Sequence, residues 1–383
     1  MIPYARQSID ATDLAAVSEV LTSDWLTQGP AIPRFEQAVA DLCGVEHAVA
    51  VCNATMALHL ACRALEAGPG DVVWTSPNSF VASANCALYC GALVDFVDID
   101  ARSYNISIDA LRAKLEIAER IGKLPKVLVT VDFAGQPCEL GPIAELRERY
   151  GFKIVEDASH AVGARYRDTR VGSGELADIT VFSFHPVKIV TTAEGGMLLT
   201  SSPELARRLR LLRSHGVTRD AALMENKAAE PWEYEQVDLG YNYRLTDIQA
   251  ALGYSQVARI ETFLSRRRAI ARRYDEELAG LPLTTPWQHP DSQSSYHLYP
   301  VRIGPESPLG RSAVYRALRE RGIAPNVHYI PIHTQPYYRA RGFSAGDFPQ
   351  AEAYYREALS LPMYPGLSDD QQGHVIASLK EIL

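Results

Sequence analysis

The sequence lacks a long apolar segment. No run approaches the roughly 18 residues that a membrane-spanning helix needs, and the first ten residues, MIPYARQSID, do not contain the apolar core of a signal peptide. We therefore expect a cytoplasmic protein that has no membrane partner.

Positive charge is also scarce. Lysine and arginine number 38 against 46 aspartate and glutamate residues, so the formal net charge is −8. A broad nucleic-acid surface requires a basic face, and we expect no nucleic-acid partner. An anionic small substrate would have to be bound by local cations and backbone N–H groups.

Two common site motifs are missing. The six cysteines form no C-x-x-C pair and several lie in apolar runs, so we expect buried thiols and predict neither disulfides nor a metal site. The glycine-rich turn of dinucleotide-binding proteins is absent too, because VCNATMAL (51–58) contains no glycine. This argues against a nicotinamide-dependent oxidoreductase.

What the chain does contain is an alternation of strand-like and helix-like segments, which is typical of an α/β domain with a mostly parallel sheet. Strands are predicted at 46–52, 71–76, 92–99, 126–133, 153–157, 177–184 and 196–201. The pattern changes near residue 245. We therefore predict a large domain over residues 1–245 and a smaller α+β domain over residues 246–383.

Several local features follow from the same patterns. Ser8 is predicted to cap the first helix, and the stretch from residue 245 to the AGL at 279–281 is predicted to be one long helix. The run Arg266-Arg267-Arg268 is expected on a solvated face of that helix. APNVHYI (324–330) is predicted to be a strand.

Polar residues follow four of the predicted strands. They occupy 53–55, 77–80, 157–160 and 183–188. Because ligands of open α/β sheets bind at the carboxyl ends of strands, we expect these segments to meet at one crevice.

Lys188 and Asp157 are the strongest candidates for chemistry there. Lys188 lies in SFHPVKIVTTAEGG (183–196) among small and hydroxyl-bearing residues; desolvation lowers a lysine pKa and allows reaction with a carbonyl. Asp157 ends an apolar strand and needs a cationic or N–H partner. The alternatives are a solvated loop lysine and a helix N-cap.

Pyridoxal phosphate (PLP) requires a lysine for its aldehyde, a carboxylate for its ring nitrogen, an aromatic face and a phosphate cup. Asn53, Ala54 and Thr55, at a strand-to-helix junction, offer N–H groups for a phosphate, and Phe80 offers the aromatic face. The spacing alone leaves this as one interpretation among several.

Eight segments carry a resemblance to a known family. They are WLTQGPAIPRFE, CNATMALHLA, GDVVWTSPNSFVASANC, DFAGQP, VEDASHAVGA, SFHPVKIVTTAEGG, RSHG and LGYNYRLTDIQAALG. In this order and spacing, over essentially the whole chain, they resemble the DegT/DnrJ/EryC1/StrS sugar aminotransferases. The resemblance implies the type I, aspartate-aminotransferase-like PLP fold.

The resemblance also implies a role for each matching residue. Lys188 binds the cofactor aldehyde covalently, Asp157 pairs with the ring nitrogen, and His160 contacts the phenolic oxygen. Asn242 reaches the phosphate of the neighbouring subunit, which implies a homodimer; from the sequence alone it is as easily a turn residue. Further cofactor contacts, to the ring face and the phosphate, fall on Phe80, Ala54, Thr55 and Ser183.

Members of this family usually take the amino group from L-glutamate and accept nucleotide-linked keto sugars. A sister group has histidine in place of the lysine and removes a hydroxyl, so Lys188 indicates a transaminase. His185 is as easily a core histidine, and Arg244 a surface residue. The substrate contacts implied by the resemblance are Tyr4, Thr27, Gln28, His185, Arg244 and His328.

The segments SFHxxKxxTTAEGG, RSHG, LTQG and VHYxPI most resemble the pseudaminic-acid pathway subgroup. This implies amino transfer to C4 of a UDP-linked 4-keto-6-deoxy-N-acetylhexosamine. The alternatives are the same reaction on another nucleotide-linked 3- or 4-keto sugar, and a non-catalytic PLP-binding regulator. The regulator is disfavoured because Lys188 and Asp157 are both present.

Overall fold

The computed structural model describes residues 1–226 and 230–383, and within these residues the largest sheet has seven strands. Across the sheet they are His47–Val51, Gly196–Thr200, Ile179–Ser183, Lys153–Asp157, Val127–Val131, Val72–Thr75 and Leu93–Phe96. The strand Gly196–Thr200 is antiparallel to both neighbours, and the other pairs are parallel. The prediction of a mostly parallel α/β sheet is confirmed.

Helices cover both faces of this sheet. Alternate residues of the strand His47–Val51 enter two different cores, Ala48 and Ala50 on one face and Val49 and Val51 on the other, as expected for a sheet buried on both sides. The helices around it are Ala11–Leu21, Ala31–Cys43, Ala54–Ala64, Ala82–Tyr89, Ile108–Arg120, Leu140–Tyr150 and Pro203–Arg213.

The cap of the first helix differs from the prediction. Asp10, not Ser8, is the N-cap: its carboxylate accepts the N–H groups of Thr12 and Asp13, and the Asp13 carboxylate accepts the N–H of Asp10. This reciprocal pair satisfies more free N–H groups than a lone serine can. The Ser8 carbonyl instead accepts a hydrogen bond from Gln256.

The predicted single long helix is two helices. Asp247–Ala258 and Ile260–Glu277 meet at Arg259, whose φ of −104° and ψ of 6° interrupt the helix. The guanidinium of Arg259 binds Asp10 and Asp13 of the first helix, so a tertiary ion pair accompanies the break.

Arg267 is also not where the charge pattern predicts it. It is 1% exposed, because its Nη1 donates to the carbonyls of Tyr296, His297 and Met363. Burial lowers its pKa to about 9. Its neighbour Arg266 does reach the surface, where it pairs with Asp369.

The C-terminal part contains an α+β arrangement around its own core. The predicted strand at 324–330 is wrong beyond Ala324, since Pro325 has no N–H with which to extend the ladder; Asn326 makes an isolated bridge to Ser360. The remaining helices are Arg311–Glu320, Pro336–Arg339, Pro349–Glu357 and Asp369–Ile382.

Short strands complete the described structure. They pair as Ile2–Pro3 with Ile323–Ala324, Val217–Thr218 with Glu235–Gln236, Arg165–Tyr166 with Thr169–Arg170 and Ser292–Gln293, and Tyr299–Arg302 with Ala358–Leu361. The domain boundary at residue 245 stays a prediction. Among the described residues no helix is both long and apolar enough to cross a membrane.

Candidate active site

A cavity of about 600 Å³ lies at the carboxyl ends of the parallel strands. All four polar strand ends contribute to it, as predicted. A larger groove of about 1210 Å³ lies near the amino ends of the strands, around Lys126 and Lys153, and contains none of the predicted site residues. The predicted residues that line the cavity are Tyr4, Ala54, Thr55, Phe80, Asp157, His160, Ser183, His185, Lys188 and His328.

Lys188 is held within this cavity by the loop that follows the strand Ile179–Ser183. Burial lowers its pKa to about 8, and the negative charge of Asp157 acts in the opposite direction. A lysine with this pKa is partly neutral near pH 8 and can act as a nucleophile and a base. The solvated loop lysine is therefore the weaker interpretation.

The hydroxyls of Thr191 and Thr192, close to Lys188, form hydrogen bonds within the loop and not toward the cavity. Thr191 Oγ1 donates to the Phe184 carbonyl and accepts the Ala193 N–H, and Thr192 Oγ1 donates to the Glu194 carbonyl. Both threonines are buried. They fix the return of the chain into the strand Gly196–Thr200.

Asp157 is the last residue of the strand Lys153–Asp157 and is 5% exposed. Ser83 donates to its Oδ2 at 2.6 Å, and Ser159 donates to its Oδ1 at 2.6 Å through its hydroxyl. The Ser159 N–H, at 3.3 Å, resembles an N-cap contact, but no regular helix begins there. The carboxylate thus keeps hydrogen-bonding capacity toward the cavity.

Beneath Asp157 lies a second, fully buried pair of carboxyl groups. Glu156 is 2% and Asp132 0% exposed. Thr180 donates a hydrogen bond to Glu156 Oε2 at 2.7 Å, and the Cys138 N–H donates to Asp132 Oδ1 at 2.9 Å. Among the described residues, no hydrogen-bond donor was found for Asp132 Oδ2. Burial raises the pKa of both carboxyls, so we infer that the pair shares a proton.

We expect Glu156→Gln to reduce the pH dependence of the free energy of unfolding. Burial raises the pKa of Glu156 from 4.5 to about 7, so its protonated form stabilises the fold below its unfolded pKa and this contribution is lost as pH rises through the folded value. The loss amounts to at most about 1.4 kcal/mol per pH unit for one group. Glutamine resembles the protonated side chain and removes part of this slope.

Denaturant unfolding at pH values from about 5 to 8 measures the effect. Glu148→Gln is the control, because the Glu148 side chain is 75% exposed, and it should follow the wild-type curve. Equal slopes for the wild type and Glu156→Gln would contradict the shared proton.

The start of the helix Ala54–Ala64 forms a cup for an anion. Asn53 caps it by accepting the Met56 N–H at 2.9 Å, and within the described residues the N–H groups of Ala54 and Thr55 have no acceptor. Gly196 lies directly behind: a Cβ there would come within 2.8 Å of the Ala54 nitrogen. The close approach of this strand therefore requires glycine.

Aromatic and imidazole rings form the walls. The Phe80 side chain is 59% exposed although it lines the cavity, which suits the face of a flat ligand. His160 Nδ1 accepts the Ala134 N–H at 3.3 Å, so its Nε2 carries the proton, 3.2 Å from the Tyr329 hydroxyl. Burial, with a contribution from the Lys188 charge, holds the His160 pKa well below its usual value. The neutral ring therefore presents one N–H.

The predicted substrate residues fall into two groups. Tyr4, His185 and His328 line the cavity; His328 is buried, bonds Ser360 Oγ at 2.8 Å, and has its pKa lowered to about 3, chiefly by burial. The other predicted residues do not line the cavity of the single chain. They are Thr27, Gln28 and Arg244, together with the predicted cofactor residue Asn242.

The residues of the second group lie close together beside the cavity, since the Tyr243 carbonyl, between Asn242 and Arg244, accepts the Cys52 N–H. Thr27 forms a bridge with Thr246, and the Leu26 carbonyl accepts the Asp247 N–H, so the segment that carries Gln28 runs beside the segment that carries Arg244. Asn242 and Thr27 are exposed in the single chain.

This geometry agrees with a family-level match. A sequence model of the DegT/DnrJ/EryC1/StrS aminotransferase family matches residues 7–380. The chain belongs to this family. Its members include PLP-dependent sugar aminotransferases, and the protein is an enzyme of this kind.

Individual relatives match over the full length. The chain is 38% identical over 386 residues to the spore coat polysaccharide biosynthesis protein SpsC of Bacillus subtilis strain 168, covering 100% of this chain and 97% of SpsC. Among solved structures, Helicobacter pylori PseC, an aminotransferase involved in the biosynthesis of pseudoaminic acid, has a TM-score of 0.90, 33% identity, and coverage of 100% and 98%. Spr1654 of Streptococcus pneumoniae in its PMP form has a TM-score of 0.90, 31% identity, and coverage of 100% and 99%.

The cofactor of this DegT-family enzyme is PLP, and the cavity fits it. Free N–H groups at a helix N-terminus suit its phosphate, the open face of Phe80 suits its ring, and Lys188 and Asp157 interact electrostatically across the same cavity. The predictions of the family, the fold and the cofactor are confirmed.

Sequence reasoning missed several cavity residues. Ser83 and Ser79 lie within a quoted family segment, and their spacing of four residues was the available signal. Tyr329 and Asn326 come from the region predicted as a strand, and the available signal was the neighbouring predicted substrate residue His328 in the segment VHYxPI. Three of these residues, Ser79, Ser159 and Val187, lie within the predicted strand-end segments but had no individual role. The others are Leu58, Ala82, Ser83, Val131, Glu194, Asn326, Val327 and Tyr329.

Proposed function

We propose that the enzyme is a cytoplasmic homodimer that transfers the amino group of L-glutamate to C4 of a UDP-linked 4-keto-6-deoxy-N-acetylhexosamine, a step of pseudaminic-acid biosynthesis. The observation that carries the proposal is the full-length similarity to PseC, with a TM-score of 0.90 and 33% identity. The sequence segments around Lys188 and His328 favour the same subgroup.

The proposed division of labour follows from the cavity. Bound PLP supplies an aldehyde that exchanges amino groups and a ring that withdraws electrons from the substrate carbon. Lys188 would hold the cofactor and, as a neutral amine, would move the proton of the substrate carbon. Asp157 would keep a proton on the ring nitrogen, and His160 would contact the phenolic oxygen. Ala54, Thr55 and Ser183 would bind the phosphate.

The charge of the cavity supports a dimer. Among the described residues that line it, Lys188 is the one lysine or arginine, whereas the carboxylates of glutamate and the diphosphate of a nucleotide sugar need further cations. We propose that Arg244 and Asn242 reach the cavity of the partner subunit. Large apolar side chains that would suit such an interface are exposed nearby, namely Trp25, Leu26, Trp232, Tyr234 and Leu239.

We propose that Tyr4, His185 and His328 bind the sugar, because they line the same cavity as the phosphate cup. Thr27 and Gln28 are proposed to act from the neighbouring subunit, as they lie beside the segment that carries Arg244. The neutral imidazole of His328 can accept or donate a hydrogen bond to a sugar hydroxyl.

A different nucleotide-linked 3- or 4-keto sugar is the second candidate. The identity to SpsC, 38%, exceeds the 33% identity to PseC, and SpsC is named for the biosynthesis of a spore coat polysaccharide. The two candidates share the cofactor and the amino donor and differ in the sugar.

A substrate panel decides between them. Purified enzyme with L-glutamate should aminate the UDP-linked 4-keto-6-deoxy-N-acetylhexosamine at C4, with kcat/KM at least about tenfold above that for GDP- and dTDP-linked keto sugars. NMR of the product gives the aminated carbon. Turnover of GDP or dTDP sugars alone, or amination at C3, would contradict the first candidate and support the second.

A further inference from the structure

Three buried side chains form a hydrogen-bonded chain that ends on Asp157. Ser79 Oγ lies 2.7 Å from Ser83 Oγ, which lies 2.6 Å from Asp157 Oδ2. The three residues are 4%, 1% and 5% exposed. Because a carboxylate only accepts hydrogen bonds, Ser83 donates to Asp157, and Ser79 therefore donates to Ser83. We call Ser79 and Ser83 the serine relay.

The carboxylate is held from two sides. Ser83 belongs to the helix Ala82–Tyr89 and binds Oδ2, whereas Ser159 follows the strand and binds Oδ1. Two donors on different oxygens restrict rotation of the carboxylate about its Cβ–Cγ bond. Bonds of this kind, to a charged group, are the stronger class of protein hydrogen bonds.

We propose that Ser83, oriented by Ser79, is a positioning residue that aligns the Asp157 carboxylate with the ring nitrogen of PLP. This rests on the proposed role of Asp157. Ser79 directly precedes Phe80, so one loop sets both the aromatic face of the cofactor site and, through Ser83, the partner of the ring nitrogen. The relay thus connects the loop that carries Phe80 to the Asp157 carboxylate.

A purely structural role predicts a different result. If the two hydroxyls only formed a hydrogen bond with each other in the core, their removal would change the free energy of unfolding. The change in cofactor affinity would then not depend on Asp157. The two roles separate in a double-mutant cycle on cofactor affinity.

The experiment titrates apoprotein with PLP and follows protein fluorescence and the visible absorbance of the bound cofactor. We expect Ser83→Ala to raise the Kd for PLP about tenfold, as for the loss of one hydrogen bond to a charged group. Ser79→Ala should raise it about threefold, because Ser79 acts through Ser83. Ser378→Ala is the matched control: Ser378 is 3% exposed in the helix Asp369–Ile382, and its Kd should equal that of the wild type.

In the Asp157→Asn background, Ser83→Ala should change the Kd less than about twofold. An unchanged Kd for Ser83→Ala in the wild-type background, or an equal loss in both backgrounds, would overturn the positioning role while leaving the proposed function intact. Failure of the wild-type apoprotein to bind PLP would instead remove the assignment of Asp157 itself. Unfolding midpoints of all variants report whether each one folds.

Discussion

Lys188→Ala is expected to abolish amino transfer, with kcat at least about 10³-fold below that of the wild type. The change removes both the proposed covalent attachment of the cofactor aldehyde and the amine proposed to move the substrate proton. Its pKa of about 8 makes Lys188 suited to both tasks, and no other lysine lines the described cavity. Steady-state turnover with L-glutamate and a keto sugar measures kcat, and the visible band of the bound cofactor reports the attachment.

Two further variants make this result specific. Lys188→Arg keeps the positive charge and should be as inactive as the alanine variant, because a guanidinium does not become neutral near pH 8. Lys153→Ala should keep wild-type turnover, since Lys153 begins the strand that Asp157 ends and its side chain is 53% exposed. Turnover by Lys188→Ala within tenfold of the wild type would contradict the proposed role.

The convergence of site residues could be predicted because it follows from topology. Strands that alternate with helices form a parallel sheet, and the carboxyl ends of such strands meet along one edge. Asp157 ends a strand, and Ala54, Phe80 and Lys188 each follow a strand closely, so their local sequence determines where they lie. The part of the cavity that these strand ends form can therefore be predicted from sequence patterns.

Other contacts within the cavity depend on packing between distant segments. Tyr329 meets His160 although 169 positions separate them, and Ser83 meets Asp157 across 74 positions. Hydrophobic periodicity carries no information on such pairings. The buried position of Arg267 has the same origin. Three carbonyl groups from distant parts of the chain accept hydrogen bonds that its guanidinium would otherwise donate to solvent water.

The loop after Ser183 illustrates a subtler difference. Its threonines, chemically suited to bind a phosphate, are used to hold the loop itself. A hydroxyl in a sequence does not tell whether it will face a ligand or a backbone carbonyl. Here the loop has to turn back into the strand Gly196–Thr200, and its own backbone carbonyls take up the threonine hydroxyls.

Asp157→Asn is expected to lower kcat roughly 10²- to 10³-fold, comparable to the loss of one electrostatic partner of a developing charge. Asparagine has nearly the same shape but no negative charge, so it cannot hold a proton on the ring nitrogen as an ion pair. It can still bond Ser83 or Ser159, and the fold should be retained. Asp109→Asn, on a surface side chain that is 94% exposed, is the control and should keep wild-type turnover.

A cofactor analogue tests whether charge at the ring nitrogen is the reason. PLP methylated at that nitrogen carries a fixed positive charge, which needs no carboxylate to retain a proton. Asp157→Ala leaves space beside the nitrogen, and we expect this variant to recover at least about tenfold in kcat when it is reconstituted with the methylated analogue instead of PLP. The wild type should lose activity with the same analogue, because the methyl group occupies the place of the hydrogen bond to Asp157. Equal activity of Asp157→Ala with both cofactors would mean that the carboxylate acts in some way other than by keeping the ring charged.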